Sequence, residues 1–492
     1  MSNIAERFVD AATRFPDRTF LVAAYDPLLE EMSYGEALRR ARVFAEHLGM
    51  AGVAVGDRIV LHCPNSLDYV CAYFGILLAG GTVIPLDPRS RPSHVSHVFA
   101  DCGARCIVLP VVKPELDPNV RQIALADCDW TASPRSGRVE APRNPLALII
   151  YTSGTTGVPR GVCLSHDNLE HTRASFVSWA RVKDRDRELT TLPLTHLFAL
   201  SHLHVHSSLG ATMYLEEGFR DIPRLLDNIA RFDITCFPAT PGSLKIIVER
   251  FSDAFALKAR RLRYMIINTS PMPVALTQRL LALVPTTDIF MYYGLTEASR
   301  SAYVAYRDHP DKLETVGRAT PGAAICIGHP RRPAIGEPGE ILVKGPQVTA
   351  GYWGQDSSEF FEEGWFRTGD LGVMDGDGFV TWLGRVREQI NVNGLKLVPT
   401  EVEDVLRRDP RVLDCAVVGV PDAASGESVA AFVIAEEGAA DARFERHLRK
   451  LCNEHLEDHK VPRRVLFVGE IPKTDTGKVK RHVLRDSLLP GR

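Results

Sequence analysis

The sequence predicts an α/β fold: a large N-terminal region of α/β subdomains plus a small β-rich subdomain, followed by a small mobile α+β C-terminal domain. Three observations carry that expectation. Over residues 1–380 short apolar bursts alternate with amphipathic stretches, the pattern of buried parallel strands covered by helices. From Glu337 the texture changes to short alternating strands with Gly/Pro turns, as in Gly339-Glu340-Ile341-Leu342-Val343-Lys344-Gly345. After Trp382-Leu383-Gly384-Arg385 the chain reads as one compact unit of ordinary domain size.

In chain order, strands are expected at Arg58–His62, Thr82–Leu86, Ala147–Tyr151, Thr212–Leu215, Ile234–Pro238, Tyr264–Asn268 and Ile289–Tyr293, with helices at Tyr34–Met50, Ser66–Ala79 and Pro223–Arg231. The C-terminal part should hold a helix Pro399–Arg408, strands Cys415–Val420 and Val429–Ile434, a helix Ala442–Glu454 and a closing strand near Arg464–Val468. The domain boundary is expected at 384–388, giving an N-terminal domain of residues 1–384 and a C-terminal domain of residues 385–492.

At 492 residues the chain is too long for one core, so several cores should meet at clefts. Its net charge of -3, with no clustered Lys/Arg stripe, argues against a nucleic-acid partner and leaves a small molecule as the default. The ten cysteines are scattered and are read as reduced thiols of a cytoplasmic protein. Met1-Ser2-Asn3-Ile4-Ala5-Glu6-Arg7-Phe8 has no apolar run of the kind a secretion signal uses, so export is not expected. The stretch Val70 to Leu86 is apolar, but Gly80-Gly81 and Pro85 interrupt it, so a buried helix running into a buried strand is expected rather than a membrane span.

The strongest local signal is Tyr151-Thr152-Ser153-Gly154-Thr155-Thr156-Gly157-Val158-Pro159-Arg160-Gly161, directly after the apolar run 146–150. Glycines let the backbone approach an anion, and Ser/Thr hydroxyls with successive N–H groups can wrap phosphates. This is a cradle of neutral donors. It lacks the Gly-x-x-x-x-Gly-Lys-Ser/Thr spacing of a Walker loop, which disfavours a P-loop nucleoside triphosphatase.

Together with Pro85-Leu86-Asp87-Pro88, Leu192-Pro193-Leu194-Thr195-His196, Tyr293-Gly294-Leu295-Thr296-Glu297, Thr368-Gly369-Asp370, Gly384-Arg385, Gly394 with Pro399 and Glu401, and Pro472-Lys473-Thr474-Asp475-Thr476-Gly477-Lys478, this loop gives a series that spans nearly the whole chain. The sequence resembles the adenylate-forming superfamily of acyl-CoA synthetases, peptide-synthetase adenylation domains and luciferases. The resemblance implies an ATP-dependent acid ligase that forms an acyl-AMP, releases pyrophosphate and transfers the acyl group to a thiol. ATP and Mg²⁺ are the implied cofactors, with coenzyme A or a phosphopantetheine arm as co-substrate; an acyl or peptidyl carrier protein is a possible partner.

By the same resemblance Thr152, Ser153, Gly154, Thr155, Thr156 and Gly157 hold phosphates, Glu297 holds Mg²⁺, Thr296 meets the α-phosphate and Tyr293 stacks on adenine. On local sequence alone, Thr296-Glu297 reads equally well as a helix start. Asp370, expected in a turn, takes the ribose hydroxyls, and Arg385 adds a contact to the sugar or phosphate. Lys478 is the implied catalytic lysine: negative charge grows on the α-phosphate as a carboxylate attacks, and an ammonium lowers that barrier. Residues 385–388, with Arg387, would form the hinge on which the C-terminal domain alternates between poses.

The acid pocket is expected between His196–Leu200, Phe237–Thr240, Asn268–Met272 and Tyr292–Gly294, with His196 as gate and Ala239, Ser270, Tyr292 and Gly294 as walls. Gly294 should leave room that a bulky residue would fill. Leu197-Phe198 replaces the Phe-Asp pair of amino-acid-activating relatives, so a free α-amino acid is not expected. His202 and His206 share a helix face, yet no Cys, Asp or Glu stands near them in sequence, so metal chelation there is not expected. Nitrite activation for diazotisation, and a nucleotide-binding regulatory protein without turnover, are the alternatives. A serine hydrolase is disfavoured because no Gly-x-Ser-x-Gly elbow occurs.

Overall fold

Strands buried on both faces read as continuous apolar runs, and such runs build two mainly parallel sheets in the N-terminal part of the chain. The computed structural model describes residues 3–117, 120–135, 144–152, 159–422, 425–473 and 479–488. By its contacts the chain divides into two compact units, one of residues 1–268, 272–325 and 343–366, the other of 269–271, 326–342 and 367–492.

In the first unit, a nine-stranded sheet runs in the order Arg318–Ala319, Ala302–Ala305, Asp288–Tyr293, Tyr264–Ile267, Cys236–Ala239, Arg187–Thr190, Thr212–Leu215, Thr19–Ala23, Glu31–Ser33. Its central pairs are parallel and its edge pairs antiparallel. A seven-stranded sheet runs Gly351–Tyr352, Arg160–Ser165, Leu146–Thr152, Thr82–Pro85, Arg58–Leu61, Cys106–Leu109, Gln122–Ala124. In the strand Tyr264–Ile267, as in Cys236–Ala239, every residue is buried, which is why neither strand alternates in sequence.

The helices form where the sequence places them, because capping and apolar periodicity agree. Ser33 caps Tyr34–Met50 by accepting from the Glu36 N–H at 3.2 Å, the type of contact that stabilises a helix by ~1 kcal/mol. Every residue of Leu67–Leu78 except Asp68 is buried. That helix packs so closely on its neighbour that a Cβ at Gly75 would lie 2.8 Å from the Ala41 carbonyl oxygen. It rises only about 18 Å, against the ~30 Å of a bilayer core, and the strand Thr82–Pro85 follows. No helix among the described residues is long and apolar enough to cross a membrane. All ten cysteines are unbridged, nine of them buried.

The second unit contains most of the β-rich subdomain, with strands Arg332–Pro333, Ala324–His329, Gly339–Lys344 and Trp365–Met374 in that order and Val380–Arg385 beside the last. Its C-terminal part pairs Leu395–Leu397, Ile390–Val392, Gly426–Ala435 and Val412–Asp422, with Arg464–Phe467 parallel to Gly426–Ala435. Helices Pro399–Leu406 and Ala442–His455 pack on this sheet through Val402, Leu406, Phe444 and Leu448. The buried Glu403 holds three elements together: it accepts from the Val417 N–H at 2.9 Å and pairs with Arg407 at 3.1 Å and Arg481 at 2.5 Å.

Candidate active site

Thr296 and Glu297 stand at the tip of a hairpin, not at a helix start. Strand Asp288–Tyr293 leaves the sheet, and Ala302–Ala305 returns beside it with Tyr293 opposite Ala302. The tip is closed by reciprocal bonds between Leu295 and Ala298 and by the Ser301 N–H on the Tyr293 carbonyl at 2.8 Å. Glu297 is half-buried, and its Oε1 accepts from the Tyr352 hydroxyl at 3.0 Å. Tyr352 pairs with Val162 across strands, and the Arg160 guanidinium lies 5.6 Å from its ring centroid. The strand Arg160–Ser165 leaves the glycine-rich segment, so Glu297 and the flank of that segment meet through Tyr352. Thr152 pairs with Arg160 on the entering side. Ser153, Gly154, Thr155, Thr156 and Gly157 lie outside the described residues, as does Lys478. Sequence reasoning missed Tyr352, whose distance along the chain gave no signal, and placed Arg160 within the loop without assigning it a role.

Gly294 has a second account beside the one its sequence suggested. A Cβ there would lie 2.4 Å from the Arg300 backbone nitrogen and 3.2 Å from the Ala298 carbonyl oxygen. The folded-back hairpin by itself demands a glycine here, a constraint separate from the room the sequence expected Gly294 to leave. His196 precedes helix Leu197–Leu209. Asn65 fixes the segment leading to it, donating to the Leu192 carbonyl and accepting from the Leu194 N–H, both at 2.9 Å. Ala239 is fully buried at the end of its strand. Tyr292 and Tyr293 are buried, and the Tyr292 ring lies 5.6 Å from that of Phe198. Ser270 is exposed and falls in the segment Thr269–Pro271, described with the second unit. Its neighbour Thr269 has φ of 90°, a strained value for a β-branched residue.

Behind Tyr292 lies a buried polar cluster. His202 Nδ1 donates to Glu188 Oε2 at 2.5 Å, the Cys236 thiol donates to the same oxygen at 3.3 Å, and His206 Nε2 stands 3.5 Å from it. Burial takes His202 down to about 4, so it is neutral here. Burial also raises the Cys236 thiol. Ligand atoms of Glu188, His206 and Cys236 lie within 4.8 Å of one another, close enough to hold a metal ion. The sequence argument against such a cluster weighed only local neighbours; parallel strands bring Glu188 and Cys236 to the histidines. A hydrogen-bond network is the better account, because the carboxylate already accepts two hydrogen bonds and the cationic Arg300 acts on the same cluster. Arg300 is fully buried, with its guanidinium 3.8 Å from the Phe176 centroid and 4.4 Å from that of Tyr292.

In the second unit, Asp370 lies within the strand Trp365–Met374 and not in a turn, because Arg385 on the neighbouring strand pairs with it in register. Arg385 Nε stands 2.8 Å from Asp370 Oδ1, and the Asp370 N–H donates to Thr368 Oγ1 at 3.0 Å. Asp370 is 2% exposed and Arg385 34%, so the pair can hold its carboxylate oriented and still offer the guanidinium. Val386–Glu388 forms a 3₁₀ turn, with Arg387 exposed and Glu388 paired to Arg481 at 2.9 Å.

Comparison with known proteins gives these motifs a context. The family model described as "AMP-binding enzyme" matches residues 8–353, and that of the AMP-binding enzyme C-terminal domain matches 401–478. A long-chain-fatty-acid–CoA ligase of Salmonella typhimurium is 30% identical over 98% of this chain and 94% of its own. An indoleacetate–CoA ligase of Aromatoleum aromaticum is 32% identical over 96% and 94%. Among solved structures, ATP-bound MatB from Rhodopseudomonas palustris superimposes with a TM-score of 0.89 at 26% identity, covering 99% of both chains. The o-succinylbenzoate CoA synthetase MenE of Bacillus subtilis, in complex with its acyl-adenylate, gives 0.87 at 26% identity over 99% and 98%.

Proposed function

Because the chain belongs to the AMP-binding enzyme family of adenylate-forming proteins and is an AMP-forming ligase of the acyl-CoA synthetase type, we propose that it activates a small organic acid with ATP and passes the acyl group to coenzyme A. In the first half-reaction a carboxylate oxygen attacks the α-phosphorus, forming the mixed acyl–phosphate anhydride of acyl-AMP and expelling pyrophosphate. In the second, the thiol attacks the acyl carbon and AMP leaves. The observation that carries the reading is the Glu297–Tyr352 contact beside the strand that exits residues 153–158, since it joins a hard oxygen ligand to the phosphate-cradling segment.

The half-buried carboxylate of Glu297, with one oxygen oriented by Tyr352, fits Mg²⁺, which when bound offsets charge on the phosphates. Thr296 donates to the α-phosphate, Tyr293 packs on adenine, and Asp370 accepts from the ribose hydroxyls with Arg385 holding it. Residues 152–157 donate to the phosphates. Lys478 neutralises the charge that grows on the α-phosphate during attack. His196, Ala239, Ser270 and Tyr292 border the acid, and the turn at 385–388 serves as hinge between the two half-reactions. Coenzyme A is favoured over a carrier-protein arm as acceptor, because the curated relatives named above are CoA ligases.

The test is pyrophosphate release from ATP across an acid panel, with and without coenzyme A. Acid-dependent release, followed by loss of free thiol at the same rate, is the expected result. Release without thiol consumption would remove coenzyme A as the acceptor. No release with any acid would favour a non-catalytic nucleotide binder.

A further inference from the structure

Among the described residues the largest fully buried side chain is a charged one. Arg300 is 1% exposed, and its Nη2 donates to Ser201 Oγ at 2.6 Å. Its Nε and Nη1 have no hydrogen-bond partner among the described residues. No carboxylate among the described residues lies in ion-pair range of it. Glu188 acts on it only from a distance, and that carboxylate is engaged through Oε2 by His202 and Cys236. Tyr292, Tyr264 and Cys236 also face it; burial keeps all three neutral by raising their pKa values. The faces of the guanidinium are covered by Phe176 and Tyr292, which offsets part of the desolvation of a cation. Its in-plane N–H donors are not served by those rings. A buried charge with unmade hydrogen bonds is costly to keep, and the natural complement is an anion that arrives from outside.

The position of Arg300 says what that anion is. The residue follows Thr296 and Glu297 on the same hairpin, its backbone nitrogen is packed against Gly294, and its side chain lies against Tyr292. Phe198, in the first turn of the helix after His196, touches both Tyr292 and His202. Of these, Phe198, Tyr292 and Gly294 belong to the segments expected to border the acid pocket, and Arg300 packs directly on Tyr292. We propose that Arg300 selects the acid, and that the acid this chain activates carries a second anionic group of the carboxylate class, taken up by the buried guanidinium. The inference rests on the acid-ligase reading. The reacting carboxylate is a poorer candidate for the same contact: it loses its charge as it attacks phosphorus, so a guanidinium on it would stabilise the ground state over the transition state. Neutral His202, with an unpartnered Nε2, can accept a hydrogen bond beside the anion but supplies no charge.

The experiment pairs monocarboxylic acids with dicarboxylic acids of the same length, butyrate with succinate and valerate with glutarate, in the pyrophosphate assay. For at least one length the diacid should give a kcat/KM about 10²-fold or more above its partner. Arg300→Met should lose that advantage, the diacid falling far more than the monoacid, whereas Arg300→Lys should keep part of the diacid preference. Calorimetric binding of the same pairs, with a non-hydrolysable ATP analogue present, reads the subsite without turnover. Equal use of mono- and diacids by the parent, or an equal loss on all acids in Arg300→Met, would overturn the proposal and leave Arg300 a structural partner of Glu188. Diacid-selective binding that Arg300→Met abolishes, with no pyrophosphate from any acid, would support the subsite and sink the ligase reading instead.

Discussion

A hydroxyl that reaches a ligand through another side chain acts by orientation, and Tyr352 holds that place beside Glu297. Glu297→Gln should lower Mg²⁺-dependent adenylation while leaving the fold intact. Tyr352→Phe should raise the Mg²⁺ concentration for half-maximal rate by ~10-fold, the low end for losing an outer-shell partner, with KM for the acid unchanged. Mg²⁺ titrations of the parent and both variants would remove Glu297 from the metal site if all three curves coincided. Gly294 yields a second expectation: even Gly294→Ala forces the Arg300 backbone to move, so ATP binding and acid turnover should fall together. A variant that only narrows the acid range, with nucleotide binding intact, would contradict this geometry. Glu297, Thr296 and Asp370 could be proposed from the sequence because each sits in a short contiguous motif. Tyr352, Asn65 and Arg300 could not, because their roles depend on partners brought close by the sheets.

At the scale of elements, periodicity and capping were legible almost to the residue: Tyr34–Met50 and Thr212–Leu215 form with the expected bounds. What local pattern could not reveal is which faces meet, and so Asp370 looked like a turn residue although it sits mid-strand opposite Arg385. The helix Leu197–Leu209 carries the same lesson, because its histidines read as polar while the fold buries them completely. Burial pushes His202 to about 4 and His204 to about 3, and His62 and His166 elsewhere in the unit to about 4. Each value is depressed below the ~6.5 of an unfolded histidine. The stabilisation these neutral histidines permit is therefore complete above pH ~6.5 and lost progressively as the pH falls toward 4, because the unfolded chain takes up the protons first. Thermal midpoints should drop between pH 7 and 5, and His204→Gln, which leaves Tyr73 an acceptor, should shallow that slope. A midpoint that rose on acidification would show the histidines to be charged in the folded protein.

For the whole molecule, the two half-reactions make different demands on one chain, and that difference can be measured. Lys478 is proposed to stabilise charge on the α-phosphate only while the carboxylate attacks, so its loss should appear in that step alone. Lys478→Ala should slow acyl-AMP formation by roughly 10²–10³-fold, the scale for losing one preorganised donor. Given synthetic acyl-AMP and coenzyme A, the same variant should transfer the acyl group at close to the parent rate. The turn Val386–Glu388 makes the opposite case testable, because proline at exposed Arg387 fixes φ at the proposed hinge while removing no buried contact. Arg387→Pro should therefore spare adenylation and slow thioester formation. Glu388 complicates a simpler design, since its pairing with Arg481 ties the turn to the network around Glu403, and a substitution there would disturb packing as well as motion. Equal damage to both half-reactions by Lys478→Ala would make the lysine a general binding group and leave an alternating mechanism without support in this chain.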